Sequence, residues 1–97
     1  MFIVLVHYKK SLSIVDHFIP VHRAYLDEGY KNHYLIASGP RVPRDGGILL
    51  SQLSDRTVLE KFLYADPFYI NDIADYEIIE FEAVKYHPDF SPFIHSI

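Results

Sequence analysis

The sequence predicts an α+β domain in which a four-stranded antiparallel sheet carries two main helices on one face. Three features point there. Four apolar runs of strand length are spaced along 97 residues, and two amphipathic segments of helix length fall between the first and second and between the third and fourth. The second and third runs are joined by a single loop rich in Pro and Gly. This is one domain's worth of chain, short enough that self-association is expected to carry part of its stability. A composition of 49% hydrophobic and 15% aromatic residues is sufficient for a packed core and excludes a disordered segment.

The run Phe2 to Tyr8, FIVLVHY, is apolar at both parities and reads as a central strand covered on both faces. Ser13 and Asp16 ahead of Phe18 and Ile19 resemble a capping box. Pro20 lacks a backbone donor and suits a first helical turn, so a short turn over residues 13 to 18 is expected, then a main helix from Pro20 to about Lys31. Its inward stripe is Val21, Tyr25 and Leu26, extended by Phe18 and Gly29, with His22 on the border. The chain then turns at Gly29 and enters a strand over His33 to Ser38, stopped by Gly39-Pro40.

Residues 39 to 47, GPRVPRDGG, form a long hairpin connection into a strand over Ile48 to Leu53. Ser54 is the expected N-cap of a helix over Asp55 to Ala65, with Leu53 and Val58 at the spacing of a hydrophobic staple. That helix turns Val58, Leu59, Phe62 and Leu63 inward and ends at Asp66-Pro67. Ala74 to Tyr86 is the longest strand signal. Ile79, Phe81 and Ala83 suit its helix-covered face, and Tyr76, Ile78, Glu80, Glu82 and Val84 make a mixed opposite face. The order β-α-β-β-α-β is the ferredoxin-like, split βαβ pattern.

That plan leaves one sheet face uncovered, which predicts a face-to-face homodimer. The closing segment KYHPDFSPFIHSI carries Tyr86, Phe90, Phe93, Ile94 and Ile97. It is too apolar to hang free and too Pro-broken for a helix, so it is expected to lie along a surface and touch the partner.

A net charge of −4 with only nine Lys and Arg argues against nucleic acid or an anionic membrane as partner. No apolar run reaches membrane-spanning length and none of the N-terminal features of a secretory leader is seen, so a cytoplasmic chain is expected. The absence of Cys removes disulfides, thiolate ligands and Cys nucleophiles. The six His are scattered, and His17 and His22 are five apart rather than four, so no protein-built metal site is expected.

Candidate binding residues sit where the second strand leaves the sheet. Ser38 is a nucleophile or a substrate ligand, or else a turn residue before Gly-Pro, and Arg41 and Arg44 either clamp a carboxylate or phosphate or form a solvated loop with Asp45. Tyr8, Tyr25, Tyr34, Tyr76 and Phe81 either line an aromatic cavity or fill the core.

The chain resembles the YciI-like (YCII-related) proteins in the His22 helix, AYLDEG at Ala24 to Gly29, ASGP at Ala37 to Pro40, ADPF at Ala65 to Phe68, and the closing ADYEIIEFEAVKYHP. The order and spacing of these short segments carry the likeness. It implies a ferredoxin-like fold that dimerises through its sheets into an α/β barrel, with an active site centred on a His and an Asp. By motif the His is His22, in Pro20-Val21-His22, and the Asp is Asp66, in Asp66-Pro67-Phe68. The Arg41-to-Gly47 loop departs from the family's pattern.

An imidazole held by a carboxylate is a workable general acid or base, because the carboxylate fixes its tautomer and stabilises the protonated ring. The competing reading makes His22 a helix residue bonded to backbone and Asp66 a turn residue before Pro67. Two functions follow. One is a cofactor-independent enzyme on a small molecule, performing proton transfer, elimination or hydrolysis. The other is a non-catalytic dimeric module that binds a small ligand or a protein.

Overall fold

The computed structural model describes residues 1–94. Its elements run β1 (Phe2–Tyr8), α1 (Leu12–Lys31), β2 (Leu35–Pro40), β3 (Gly46–Ser51), α2 (Arg56–Tyr64), the one-turn helix α3 (Pro67–Ile70) and β4 (Ala74–Glu80), followed by a 3₁₀ segment, Pro88–Phe93. The strands form one antiparallel sheet in the order β2-β3-β1-β4. This is the four-stranded, ferredoxin-like α+β arrangement expected from the sequence.

The register decides which side chains meet the helices. Along β1, Phe2, Val4 and Val6 are buried while Ile3, Leu5 and His7 are only half-buried, so the two faces of the sheet have different surroundings. Val15 and Leu26 of α1 and Leu59, Phe62 and Leu63 of α2 join Phe2, Val4, Val6, Leu35 and Leu49 in one core. The opposite face carries Ile3, Leu5, Ile48, Leu50 and Ile79, with His7 Nε2 2.9 Å from Glu77 Oε1 at its edge.

Four local expectations are corrected. Pro20 does not divide α1: the helix runs through it, with Val15 on one side and His22, Leu26 and Gly29 on the other all buried, so packing of both halves overrides the local penalty. The turn after α1 comes at His33, which takes φ 60°, rather than at Gly29, which is buried under α2. Asp55, not Ser54, caps α2, accepting from Thr57 N and Val58 N at 2.8 and 3.4 Å, which shifts the expected staple out of position. The parity of the last strand is also reversed. Val4 faces Ile78 and Val6 faces Tyr76, so Tyr76 and Ile78 lie on the helix side and Ile79 on the open side. The misreading came from Phe81 and Ala83, which lie beyond the strand's end at Glu80 and so exert no vote on its face.

After Phe81, whose N–H donates to the Met1 carbonyl at 3.0 Å, the chain leaves the sheet. Residues 88 to 93 do form a short helix, of the 3₁₀ kind, contrary to expectation; Pro at its first position and the His87 side-chain cap allow it. Phe90, Phe93 and Ile94 are half-buried, Tyr86 is exposed, and Ile97 lies outside the described residues.

Close strand approach at Gly46 gives a stability prediction. A Cβ there would stand 2.0 Å from the Val6 carbonyl oxygen of the neighbouring strand, a backbone atom that cannot move aside alone. Gly46→Ala is expected to cost about 2 kcal/mol or more in chemical denaturation. A midpoint equal to wild type would contradict the tight β1–β3 approach.

Candidate active site

His22 occupies the inward stripe of α1, between Ile19 one turn before it and Leu26 one turn after, and is buried. Asp66 reaches it from the junction of α2 and α3. A residue before Pro is pushed to extended backbone, and Asp66 has φ −65° and ψ 134°, the conformation of an N-cap. Its carboxylate accepts from Phe68 N at 2.9 Å, as an N-cap does. The same carboxylate meets His22 Nδ1 at 2.9 Å and accepts from the Tyr76 hydroxyl at 2.7 Å. The Asp-Pro turn therefore serves both local structure and the pair with His22.

Asp66 has no solvent exposure, and three donor groups converge on it. Burial, and then the negative charge of Asp66, push Tyr76's ionisation far above the ordinary phenol range, so its O–H remains a donor. Because a carboxylate only accepts, the Nδ1 position of His22 is the one that carries the proton. No buried side-chain nitrogen or oxygen among the described residues lacks a partner, and Nε2 has no partner among those residues, so Nε2 shares in the ring's small exposure. Phe68 stacks on the imidazole, with centroids 3.8 Å apart and planes 3° from parallel. A carboxylate behind the ring, an aromatic face against it and one accessible nitrogen form an arrangement suited to moving a proton.

A cavity of about 180 Å³ lies beside this pair, between α1 and the ends of β1 and β2. Tyr8, Ile19, Arg23, Ser38, Arg44 and Phe68 contribute to its wall. His22 and Asp66 are not themselves in that wall; the link is Phe68, stacked on His22, together with Ile19 and Leu26, which flank His22 along α1. Ser38 Oγ lies 2.6 Å from the Tyr30 hydroxyl, and Arg44 pairs with Asp16. Arg41 is not in the wall and lies 3.3 Å from Asp45 within its own loop. Among the aromatic candidates, Tyr8 lines this cavity, Tyr25 donates to the Phe62 carbonyl at 2.7 Å, and Tyr34 packs edge-on against Phe62.

Sequence reading did not assign Tyr76 to Asp66, Phe68 to the imidazole or Arg23 to the cavity. Phe68 was within reach, since the N-cap at Asp66 places it over the start of α3. Tyr76 was hidden by the parity error. Arg23 carries no sequence signal beyond its place next to His22.

A larger recess, about 900 Å³, opens at the other end of the sheet, where Met1, Leu53, Phe81, Val84 and Phe93 meet the departing tail. Neither His22 nor Asp66 is in its wall. Among the described residues no cluster of three His, Asp or Glu is placed to hold a metal ion. No helix among them is long and apolar enough to cross a membrane.

A family model described as the YCII-related domain matches residues 1–82. No curated protein matches the chain. Among solved structures, it is similar to the 5-chloro-2-hydroxyhydroquinone dehydrochlorinase TftG from Burkholderia phenoliruptrix, in complex with 2,5-dihydroxybenzoquinone. The TM-score is 0.68 at 16% sequence identity, over 84% of this chain and 93% of that one. A likeness at that identity speaks for the fold.

Proposed function

The chain belongs to the YCII-related family, and we propose that it is a cofactor-independent enzyme acting on a small organic molecule, with His22 as general acid and base and Asp66 as the group that orients it. One observation carries this reading: His22 Nδ1 is tied to a fully buried carboxylate at 2.9 Å, which leaves Nε2 as the nitrogen free to exchange a proton, while Phe68, stacked on the same ring, lines a ring-sized cavity. In the reaction, Nε2 takes a proton from an acidic C–H or O–H of the substrate, and the imidazolium is stabilised by Asp66. The electron pair left behind forms a new double bond as a leaving group departs, or the proton returns at another atom. Elimination and isomerisation thus use the same two residues. Hydrolysis uses them with water as the proton donor to Nε2. The similar solved structure is named a dehydrochlorinase, which favours elimination among these. Ser38 and Arg44 sit in the cavity wall and are the proposed substrate ligands; Arg41 would join them only by leaving Asp45.

The test is turnover of small hydroxylated aromatic compounds bearing a leaving group, by purified chain without added cofactor. Activity that His22→Ala abolishes supports the reading. Activity that survives that change, or that requires an added cofactor, overturns it.

We further propose that the open sheet face seats a second copy of the chain, which would leave the acid-base pair, on the helix side, unobstructed. Ile3, Leu5, Ile48, Leu50 and Ile79 form the apolar patch, and the tail from Tyr86 onward is the segment expected to reach the partner. Sedimentation at micromolar concentration is expected to show a dimer, burying above roughly 1,000 Å² in total. A chain ending at Lys85 is expected to dimerise more weakly and melt lower; equal behaviour would make the tail dispensable. The patch also suits the alternative of a non-catalytic binding module, which a dimer with no turnover of any compound would favour.

A further inference from the structure

We propose that the cavity beside His22 is a site for a ring-sized monoanion, its charged oxygen held by Arg23 and Arg44 and its flat body set against Tyr8 and Phe68. The charge count comes first. The cavity wall holds two guanidinium groups and no Asp or Glu. Arg44 is already balanced by Asp16, which pairs with it from outside the wall. Arg23 has no carboxylate within 4.0 Å among the described residues. One positive charge is thus left over, and one negative charge on the ligand completes it. An Arg–oxyanion contact is charge-assisted and directional, so it fixes orientation as well as sign.

Size and shape narrow the class. Cavities of roughly 150 Å³ accept benzene, so about 180 Å³ is the room of one six-membered ring and a small substituent. The rings of Tyr8 and Phe68 meet edge to face, at 88° with centroids 6.2 Å apart, and both contribute aromatic surface to the wall. Val6, Ile19 and Leu26 add apolar wall, while Ser38 supplies a hydroxyl. A free phosphate lacks the body to fill this cavity and carries more charge than the wall leaves unbalanced. The chemistry that fits is a single ring bearing a carboxylate or a phenolate-type oxygen. Arg23 reaches this cavity from α1, the helix that also carries His22.

This site deepens the proposed enzyme reading, because it takes the same cavity as the substrate's place. Its test, however, is binding rather than turnover. The full chain is titrated at low ionic strength with benzoate, with 4-nitrophenolate at mildly alkaline pH, and with benzamide as the uncharged analogue, followed by NMR of the Tyr8 and Phe68 rings. At least one anion is expected to bind tenfold or more tighter than benzamide, and the tighter of the two names the substrate oxygen as carboxylate or phenolate. Arg23→Gln is expected to weaken that anion about tenfold and leave benzamide unchanged. Arg23 is exposed on its helix, so the variant is expected to keep the wild-type circular dichroism spectrum; Arg44→Gln serves as a second probe. Equal binding of benzamide and both anions, absence of anion binding, or full anion affinity in both Arg variants overturns the proposal. Anion binding without any turnover would defeat the acid-base reading alone. Turnover lost in His22→Ala with no anion preference would defeat the anion site alone.

Discussion

Asp66→Ala is expected to lower the free energy of unfolding by about 3–5 kcal/mol, the largest loss from any single truncation at the site. The carboxylate has no solvent exposure and takes the Phe68 N–H, the Tyr76 O–H and His22 Nδ1. Its removal leaves all three donors buried without a partner, each worth about 1–3 kcal/mol when orphaned. The start of α3 is lost as well, because Asp66 is its N-cap. For a domain of this size that loss corresponds to a melting temperature lower by roughly 10 °C or more. Asp66→Asn keeps the shape and one acceptor oxygen but aims its NH₂ at a donor, so it is expected to fold with a smaller stability loss. Denaturant unfolding of both variants checks this. A loss under about 1 kcal/mol for Asp66→Ala would mean that water replaces the carboxylate and that the pair is not built in.

His22→Ala is expected to show itself chiefly in turnover, with a smaller loss of stability than Asp66→Ala, because the carboxylate keeps the Phe68 and Tyr76 donors, and a fall in kcat of about 10²–10⁴, the usual contribution of a positioned acid-base group. Truncation takes away the proton carrier and the ring stacked on Phe68, but the cavity wall is built by other residues, so KM is expected to change little. Asp66→Asn is expected to cost less in kcat than His22→Ala, because it removes an orienting group while the imidazole remains. Steady-state kinetics on any substrate found by the turnover screen separates these expectations. A rise in KM at unchanged kcat would recast His22 as a ligand for substrate rather than a mover of protons.

The element order was legible in the sequence because each element carries its own pattern, such as the apolar run of β1 or the Leu59, Phe62 and Leu63 face of α2. What was not legible depended on long-range packing. Nothing local shows that α1 survives Pro20, since the force that holds it together is burial of Val15 and His22 against other elements. Likewise, Tyr76 and Ile78 are on the helix side only because the register sets them opposite Val6 and Val4. At the site, His22 and Asp66 could be named singly by motif, but they are 44 residues apart and their contact exists only in the folded chain. The reading of Asp66 as a turn residue before Pro67 also holds, because one carboxylate performs both tasks.

The proton position on His22 tests the acid-base reading most directly, and it requires no known substrate. Long-range ¹H–¹⁵N correlation on histidine-labelled protein under conditions where the ring is neutral distinguishes the two ring nitrogens. The Asp66 contact requires Nδ1 to carry the hydrogen and Nε2 to hold a free lone pair, and Asp66→Asn is expected to disturb that preference. A neutral His22 protonated at Nε2, with Nδ1 as the bare nitrogen beside Asp66, would place the base on the buried side of the ring and contradict the proposed role of the pair.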